Sequence, residues 1–294
     1  MPSAPIFRRA TILGTGLIGG SFGLALRKYA PEIRVAGWDR QDVLREAAAL
    51  GAVQDTFSGD LGPALAGADL VYIALPIGVT LDLLPEIVRR SPPGALITDA
   101  CSTKLRICER AAEVVAQNPH GGALLLPGHP LAGKEVSGVA NASADLFQNT
   151  TYALIGEDSL QQEPRVRAFV QLLGRIGARP LWLEARQHDY AVALISHLPQ
   201  LAAVALGSFL YERLDENGLP ITLAGPGLRD SLRLAGSSYS TWRDILLTNR
   251  EFLSAVLDLF ARHLDDLREK LSSRQLEADF DSANELYKLL RDLK

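Results

Sequence analysis

Short apolar runs and amphipathic segments alternate along the first half of the chain. The apolar runs have the length of strands, and they read RATIL, IRVAGWD, DLVYIALP, GALITDA, GALLLPG, TTYALIG and RPLWLEA. The segments between them place apolar residues at helical spacing, as in VLREAAALGA, GVTLDLLPEIVRRS, STKLRICERAAEVVAQN and PRVRAFVQLLGRIGA. Strands that alternate with helices are typical of a parallel sheet joined by crossover helices. The pattern predicts an α/β fold with an open, doubly wound sheet over residues 1–183.

The alternation ends at Glu184, and long helical patterns follow. They read HDYAVALISHLPQLAAVALGSFLYERL, TWRDILLTNREFLSAVLDLFARHLDDLREKLSS and LEADFDSANELYKLL. These patterns predict a second, all-helical domain over residues 184–294, with the ligand site in the cleft between the domains. The first pattern is apolar on nearly every face, and so small a domain cannot bury such a helix alone. We therefore expect a homodimer.

The first apolar run leads into a glycine turn, GTGLIG, and then into an amphipathic helix. At this spacing the first glycine permits a tight turn, the second lets a pyrophosphate approach the backbone, and the third lets helix and strand pack closely. The helix N-terminal amides then bind the phosphates. The motif predicts a Rossmann-type dinucleotide site at Gly14, Gly16, Leu17, Ile18 and Gly19, with a glycine turn that binds no ligand as the alternative.

An acidic residue, Asp39, ends the second apolar run at about 20 residues beyond the glycine turn. At this place a carboxylate accepts hydrogen bonds from the adenine ribose hydroxyls and repels a 2′-phosphate. We therefore expect NAD as the cofactor. The next residue, Arg40, can stack on adenine or accommodate a phosphate, which keeps NADP as the alternative.

The composition of the 294 residues is that of an ordinary globular protein, with 47% hydrophobic and 22% charged residues. A net charge of −4 gives no basic footprint for nucleic acid. The only cysteines, Cys101 and Cys108, lack the spacing of a zinc site or a redox pair, so we expect no metal. We see no leader peptide and no run of about 18 apolar residues, and we expect a cytoplasmic protein that does not enter a membrane.

Two polar residues follow predicted strands at the carboxyl edge of the sheet, where open α/β sheets bind ligands. His129 lies in GHPLAGKEVSG, and its position favours a proton acceptor for alcohol oxidation over a structural loop residue. Ser102 lies in DACSTK and is equally explained as a helix N-cap. We expect Lys104, in the same motif, to be a solvent-exposed residue of the first helical turn.

The helical half offers a histidine and a group of arginines. His197, within an apolar helix, is expected to be buried with a hydrogen-bond partner. Arg229, Arg233 and Arg243 suit a substrate that carries carboxylates, because the guanidinium fork matches a carboxylate. Pairing with the aspartates next to them explains Arg229 and Arg243 equally well.

Taken together, these motifs resemble the prephenate and arogenate dehydrogenase family of tyrosine biosynthesis. The resemblance rests on DACSTK, GHPLAGKEVSGVANASADLF, ISHLPQ and GPGLRDSLRLAGSSYSTWRDI, in this order. It implies a Rossmann domain followed by a helical dimerisation domain. It also implies the oxidative decarboxylation of prephenate to 4-hydroxyphenylpyruvate, or of arogenate to tyrosine, with hydride transfer to NAD.

The resemblance also assigns roles to particular residues. His129 matches the catalytic histidine that bonds the substrate ring hydroxyl, and Ser102 matches a serine that contacts both. Arg233 matches the arginine that holds a substrate carboxylate. His197 matches a helix histidine that supports the substrate pocket.

Three further positions carry the resemblance or depart from it. His188 and Asp189 match a His-Asp pair at the start of the helical domain. Gln200 stands where members that use prephenate commonly have histidine, in the region that binds the substrate side chain. A neutral glutamine tolerates an ammonium better than a protonated histidine, which favours arogenate or dual use.

Two other functions are compatible with a dinucleotide turn. One is a dehydrogenase of the 3-hydroxyacid type, but no lysine stands in SHLPQLAAVALGSFLYERL to act as its catalytic group. The other is a non-enzymatic NAD-binding sensor, which would give His129, Ser102 and Arg233 no reason to coexist. Lys134 and Glu135 have no assigned role, and His120 and His263 are expected to face solvent.

Overall fold

A computed structural model describes residues 6–118, 122–134, 136–214 and 219–292. The strands are β1 Arg9–Leu13, β2 Arg34–Trp38, β3 Asp55–Phe57, β4 Leu70–Ile73, β5 Leu96–Asp99, β6 Leu124–Leu126, β7 Gly128–Pro130, β8 Thr151–Ile155 and β9 Arg179–Leu183. The helices of the first half are α1 Leu17–Tyr29, α2 Gln41–Ala49, α3 Gly62–Leu65, α4 Ile77–Arg90, α5 Leu105–Gln117, α6 Asp158–Gln161 and α7 Pro164–Arg175. Those of the second half are α8 Ala185–Val192, α9 Leu198–Tyr211, α10 Leu219–Thr222, α11 Pro226–Leu232, α12 Tyr239–Thr248, α13 Arg250–Lys270 and α14 Leu276–Asp292.

Six strands form a parallel sheet in the order β3-β2-β1-β4-β5-β6. The order reverses between β1 and β4, so the crevice at their carboxyl ends is the place where such sheets bind ligands. The predicted α/β architecture with a doubly wound sheet is confirmed.

The last two predicted strands do not join this sheet. β8 and β9 pair in parallel, and β7 runs antiparallel to β8, in a separate sheet of order β7-β8-β9. The apolar run GALLLPG divides at Pro127, which lacks an N–H and lies between β6 and β7. The chain therefore leaves the large sheet just before His129. The short edge strand β3 was not predicted.

Apolar side chains cover both faces of the large sheet. On one face, the Phe22 ring of α1 stacks on the Tyr72 ring of β4, with centroids 3.9 Å apart. On the other face, Leu84 and Ile87 of α4 are buried against β4 and β5. Burial of one such side chain contributes about 2 to 3 kcal/mol to the stability of the fold. The packed core therefore fixes the position of the carboxyl edge of the sheet, where the site lies.

The predicted long apolar helix runs from Ala185 to Tyr211, with a π-helical turn at Ala193–His197 between α8 and α9. Its length and mean hydropathy of 1.5 match those of a membrane span, and 28% of its most apolar window is buried. The expectation that no run reaches this length was therefore wrong. A core helix of a soluble protein has the same length and composition.

The two halves meet along α4, α5 and α12. Ile77, Cys101 and Ile107 form an apolar cluster with Ile245 and Trp242. The hydroxyl oxygens of Thr103 and Thr248 lie 2.7 Å apart at the same junction. These contacts place α12 beside the segment that follows the carboxyl end of β5.

Candidate active site

The glycine turn leaves open space where a dinucleotide backbone would lie. Gly14 has a φ of +88°, and a Cβ there would lie 2.5 Å from the Ala74 carbonyl oxygen. A Cβ on Gly19 would lie 1.9 Å from the Gly14 oxygen, whereas a Cβ on Gly16 would meet nothing within 4 Å. No side chain caps α1, which starts at Leu17 and Ile18. The turn therefore fits a pyrophosphate over Gly16 and the first amides of α1.

Asp39 lies at the carboxyl end of β2 and is tied to this turn. Its carboxylate accepts hydrogen bonds from the backbone N–H of Thr15, at 2.7 Å, and from the Thr15 hydroxyl, at 3.2 Å. Its second oxygen accepts the N–H of Arg40 at 2.7 Å. The carboxylate is thus held beside the glycine turn, while the Arg40 guanidinium is exposed and lies 3.6 Å from Asp42. Thr15 therefore contributes to holding Asp39 in place, a role that the glycine motif does not indicate.

His129 is partly exposed in β7, and its Nδ1 lies 2.9 Å from Nε2 of His188. The Nδ1 of His188 lies 2.8 Å from Oδ1 of Asp189, and both of these residues are buried. We call Asp189, His188 and His129 the histidine chain. Since the Asp189 carboxylate only accepts, His188 donates from Nδ1 and accepts at Nε2 from the Nδ1–H of His129. The Nε2 of His129 is then left with a lone pair that can accept a proton.

The carboxylate of Asp189 also caps α5 from the other half of the chain. It accepts hydrogen bonds from the backbone N–H groups of Lys104, at 2.7 Å, and Leu105, at 2.9 Å. The alternative of Ser102 as the N-cap was wrong, because α5 begins at Leu105 and no side chain of its own segment caps it. Ser102 is half-buried and makes no hydrogen bond to His129 or to any other described residue.

Lys104 does not face solvent as expected but is completely buried. Its ammonium forms an ion pair with Asp99 at the end of β5 and donates to the Gly128 carbonyl oxygen at 2.6 Å. The motif gave a partial signal for this position, since a lysine between a strand and a helix lies at the carboxyl edge of the sheet. Its burial depends on the helical half and on β7, which the motif does not contain.

Burial keeps His129 and His197 neutral. The pKa of His129 lies well below 6.5 because desolvation disfavours the imidazolium, and His188 and Lys104 act in the same direction. Burial also lowers the pKa of His197 to about 4. At neutral pH both rings are therefore uncharged, and His129 is in the form that accepts a proton.

His197 lies next to the histidine chain in the π-helical turn. Its Nδ1 accepts from the Asn249 amide at 3.0 Å, and the same amide donates to the Asp189 backbone carbonyl at 2.8 Å. Its ring meets the edge of Trp242, with centroids 5.8 Å apart. The prediction of a buried, hydrogen-bonded histidine is confirmed. Asn249 was not predicted, because it lies in a region that was expected to be one continuous helix and instead separates α12 from α13.

Comparison with known proteins decides the family. The nucleotide-binding domain of prephenate dehydrogenase matches residues 22–181, and the dimerization domain of prephenate dehydrogenase matches residues 184–291. The chain belongs to the prephenate dehydrogenase family. The predicted family and dehydrogenase class are thereby confirmed, and neither a 3-hydroxyacid dehydrogenase nor a sensor without activity is favoured.

Individual prephenate dehydrogenase relatives span most of the chain. Prephenate dehydrogenase of Lactococcus lactis is 34% identical over 92% of this chain and 73% of its own length. Cyclohexadienyl dehydrogenase of Zymomonas mobilis is 28% identical over 92% of this chain and 90% of its own length.

Solved structures agree with this family. Arogenate dehydrogenase of Synechocystis covers 97% of this chain and 96% of its own, with 27% identity and a TM-score of 0.74. Prephenate dehydrogenase of A. aeolicus, in complex with hydroxyphenyl propionate and NAD+, shares the fold with a TM-score of 0.85, 23% identity and 97% coverage of both chains.

The residues of this chain that are expected to hold the substrate lie in the helical half. Gln200 is buried, and its amide donates to the Leu234 carbonyl oxygen at 2.9 Å. Leu234 follows Arg233 in a single 3-10 turn, so Gln200 fixes the backbone next to this arginine. No direct bond joins Gln200 or Arg233 to His129 within the described residues.

The other charged residues named from the sequence lie away from the histidine chain. Arg243 pairs with Asp244 at 2.9 Å, which agrees with the expectation that this arginine pairs with a neighbouring aspartate. Arg229 forms no ion pair with Asp230 in the described part of the chain. Lys134 donates to the Asn141 carbonyl oxygen at 2.7 Å, and His263 is exposed on α13. Glu135 and His120 lie outside the described residues. No group of three or more possible metal ligands occurs in the described ranges.

Proposed function

We propose that the chain catalyses the oxidative decarboxylation of prephenate, arogenate or both, with NAD as hydride acceptor. The products are 4-hydroxyphenylpyruvate from prephenate and tyrosine from arogenate. The observation that carries the proposal is the unpaired Nε2 of His129, at the end of a hydrogen-bonded chain that begins at Asp189. This acceptor lies at the same sheet edge as the glycine turn.

In the proposed mechanism His129 Nε2 accepts the proton of the ring hydroxyl. NAD, when bound, supplies the acceptor for the hydride of the carbon that carries this hydroxyl. The bond from the ring to its carboxylate breaks, carbon dioxide leaves, and the bonding electrons complete the aromatic ring as a phenolate, which takes the proton back from His129. Aromatisation makes the reaction effectively irreversible, and a positioned base typically contributes about 10² to 10⁴ in rate.

The histidine chain stabilises the imidazolium that forms on His129. His188 accepts the Nδ1–H of His129, and this hydrogen bond strengthens when the ring becomes positive. The Asp189 carboxylate holds His188 in the required tautomer. His197, through Asn249 and the Asp189 backbone, supports the pocket from the helical half.

The glycine turn holds the cofactor in this proposal. Gly14, Gly16 and Gly19 shape the turn, and the first amides of α1, at Leu17 and Ile18, bind the pyrophosphate. Asp39 accepts the adenine ribose hydroxyls and disfavours a 2′-phosphate, so the cofactor is NAD. Arg40 would stack on the adenine or accommodate a 2′-phosphate, which keeps NADP as a weaker alternative.

Arg233 holds a substrate carboxylate, and Gln200 lines the region of the substrate side chain. One N–H of the Gln200 amide donates to Leu234, and the amide oxygen remains available to accept a hydrogen bond. Such an acceptor suits the ammonium of arogenate. Ser102 contacts the ring hydroxyl once substrate is bound, and its lack of a hydrogen bond within the described residues supports this role.

The helical half forms the homodimer, and the domain boundary lies between Leu183 and Glu184. The separate matches to residues 22–181 and 184–291 support this boundary. Apolar side chains on the long apolar helix remain exposed in the single chain and need a cover: Leu194, Ile195, Val204, Leu206, Phe209 and Tyr211. A partner subunit that covers them keeps the protein soluble, and we place it in the cytoplasm.

One assay tests the proposal. Initial rates are measured with prephenate and with arogenate, each with NAD and with NADP. We expect reduction of NAD with at least one substrate, a preference for NAD over NADP, and arogenate turnover at least equal to that of prephenate. Absence of turnover in all four combinations, with 3-hydroxy acids oxidised instead, would contradict the proposal.

A further inference from the structure

Lys104 is the largest charged side chain that is completely buried in the described part of the molecule. Its ammonium contacts the Asp99 carboxylate and the Gly128 carbonyl oxygen, at 2.6 Å from the latter. A buried ammonium is costly unless it is paired and hydrogen-bonded. Since such pairs stabilise a fold little compared with apolar residues of the same volume, stability alone does not account for a lysine here.

Two separate routes connect Lys104 to His129. By the first, the ammonium holds the carbonyl oxygen of Gly128, the peptide group directly before His129. By the second, the backbone N–H of Lys104 donates to the Asp189 carboxylate, which orients His188 and through it His129. Together, the two routes form a closed ring of contacts that begins and ends at Lys104.

The peptide before His129 is held from both sides. The Gly128 N–H donates to the Asp99 carboxylate at 3.2 Å, while its carbonyl accepts from Lys104. A Cβ on Gly128 would lie 2.8 Å from the Tyr152 ring, so the backbone is packed against β8 as well. The Asp99–Lys104 pair therefore fixes the backbone from which the His129 side chain extends.

We propose that Lys104 is a positioning residue: its ammonium, paired with Asp99, holds the Gly128 carbonyl oxygen and so fixes the backbone of His129. The inference rests on the proposed role of His129 as the proton acceptor. It adds a completely buried residue that acts on the position of the base.

The charged and titratable groups around His129 come from three elements. Asp99 and Lys104 lie at the end of β5 and before α5, His188 and Asp189 lie on α8, and His197 lies in the π-helical turn. Lys104 lowers the pKa of His129, after the larger effects of burial and of His188. The thiols near Lys104 are neutral at working pH, since burial raises the pKa of both to about 12: Cys101 and Cys108.

The test uses Lys104→Met and the double variant Asp99→Asn/Lys104→Met, in which no buried charge is left without a partner. In both we expect kcat to fall about tenfold to a hundredfold, because the base is misplaced. KM for the substrate and the affinity for NAD stay within about twofold. In Lys104→Met, which leaves the Asp99 carboxylate without its partner, the acid limb of kcat/KM moves to higher pH; in the double variant, which removes both charges of the pair, it moves less.

A second measurement is independent of turnover. The imidazole titration of His129 is followed by NMR in protein with labelled histidine and without substrate, and His129→Asn identifies the signal. We expect the titration to move to higher pH in Lys104→Met, and by less in the double variant. Lys28→Met is the matched control, because Lys28 pairs with Asp145 at the surface and contacts no residue of the histidine chain. We expect the pH profile and the His129 titration of this variant to equal those of the wild type.

The outcomes separate the two claims. If the folded double variant keeps the kcat of the wild type, Lys104 is only structural and the inference is wrong. If Lys104→Met does not fold, the double variant decides. Should His129→Asn retain normal turnover, the proposed function fails at its base, whatever the Lys104 variants do.

Discussion

The glycine turn and the histidine chain lie at the same edge of the sheet but are built in opposite ways. The turn consists of backbone from Gly14 to Gly19, and the spaces around its glycines define it. The histidine chain consists of side chains, and its first bond joins residues 59 positions apart. One is a local structure of the first half, whereas the other exists only when both halves are folded together.

This difference predicts different responses to substitution. In the turn, the effect of an added methyl group on stability and cofactor binding depends on the atoms that the methyl group contacts. In the histidine chain, the loss of one donor or acceptor affects residues in both halves. The following variants test this contrast, in order of expected effect.

The largest effect is expected for His129→Asn. Asparagine keeps the size of the side chain but cannot take up a proton, so kcat should fall at least about a hundredfold with NAD affinity unchanged. Steady-state rates and a binding titration measure the two quantities. His263→Asn, at an exposed site on α13, is the control. Near-normal turnover of His129→Asn would remove this residue from the mechanism.

Gly19→Ala and Gly16→Ala form a pair that tests the turn. The alanine methyl at position 19 overlaps the Gly14 oxygen, so we expect a loss of about 3 kcal/mol in the free energy of unfolding and little NAD binding. At position 16 the methyl meets nothing, and only NAD affinity should fall. Denaturant unfolding and a binding titration distinguish them. Equal stability of the two variants would show that the turn tolerates a side chain at position 19.

Asp189→Asn tests the junction between the halves. The amide cannot accept from His188 and from both N–H groups of α5, so we expect a loss of about 2 to 3 kcal/mol in stability and about a tenfold lower kcat. Asp244→Asn is the matched control. Its carboxylate accepts the Gly78 N–H at the start of α4 but is partly exposed, so the loss should be about 1 kcal/mol with kcat unchanged.

The contrast also explains what could be predicted from the sequence. Gly14, Gly19 and Asp39 were found because the turn needs fixed residues at fixed local spacing. Pro127 shows where the pattern failed, because an apolar run continues through the point at which the chain changes sheets. Lys104 was misjudged for the same reason, since its neighbours in sequence are loop residues and its burial comes from β7 and the helical half.

Asn249 and Asp189 mark the limit of prediction from the sequence. The resemblance named Asp189, but its function as the cap of α5 requires that a side chain from α8 reach a helix 85 positions earlier. Asn249 stands in a helical pattern with no local feature that sets it apart. Its importance follows only from two acceptors that the fold brings to it.

His197 predicts a pH dependence of stability. Its pKa is about 4 in the folded chain and 6.5 in the unfolded chain, so between these values the unfolded chain binds more protons. The stabilisation is complete above pH 6.5 and is lost as the pH falls toward 4. Between about pH 7.5 and 5 this single group costs about 2 kcal/mol. Denaturant unfolding of wild type and His197→Asn should show the steeper acid loss in the wild type; parallel curves would contradict it.

The smallest effect is expected for Arg233→Ala. An arginine that holds a substrate carboxylate acts in the ground state and in the transition state alike, so KM should rise about tenfold while kcat changes little. Arg229→Ala, one turn earlier on α11, is the matched control and should leave KM unchanged. Unlike Asp189, Arg233 is exposed, so the free energy of unfolding of the variant should stay within about 1 kcal/mol of the wild type. If Arg229→Ala raises KM and Arg233→Ala does not, the carboxylate contact belongs to the earlier arginine.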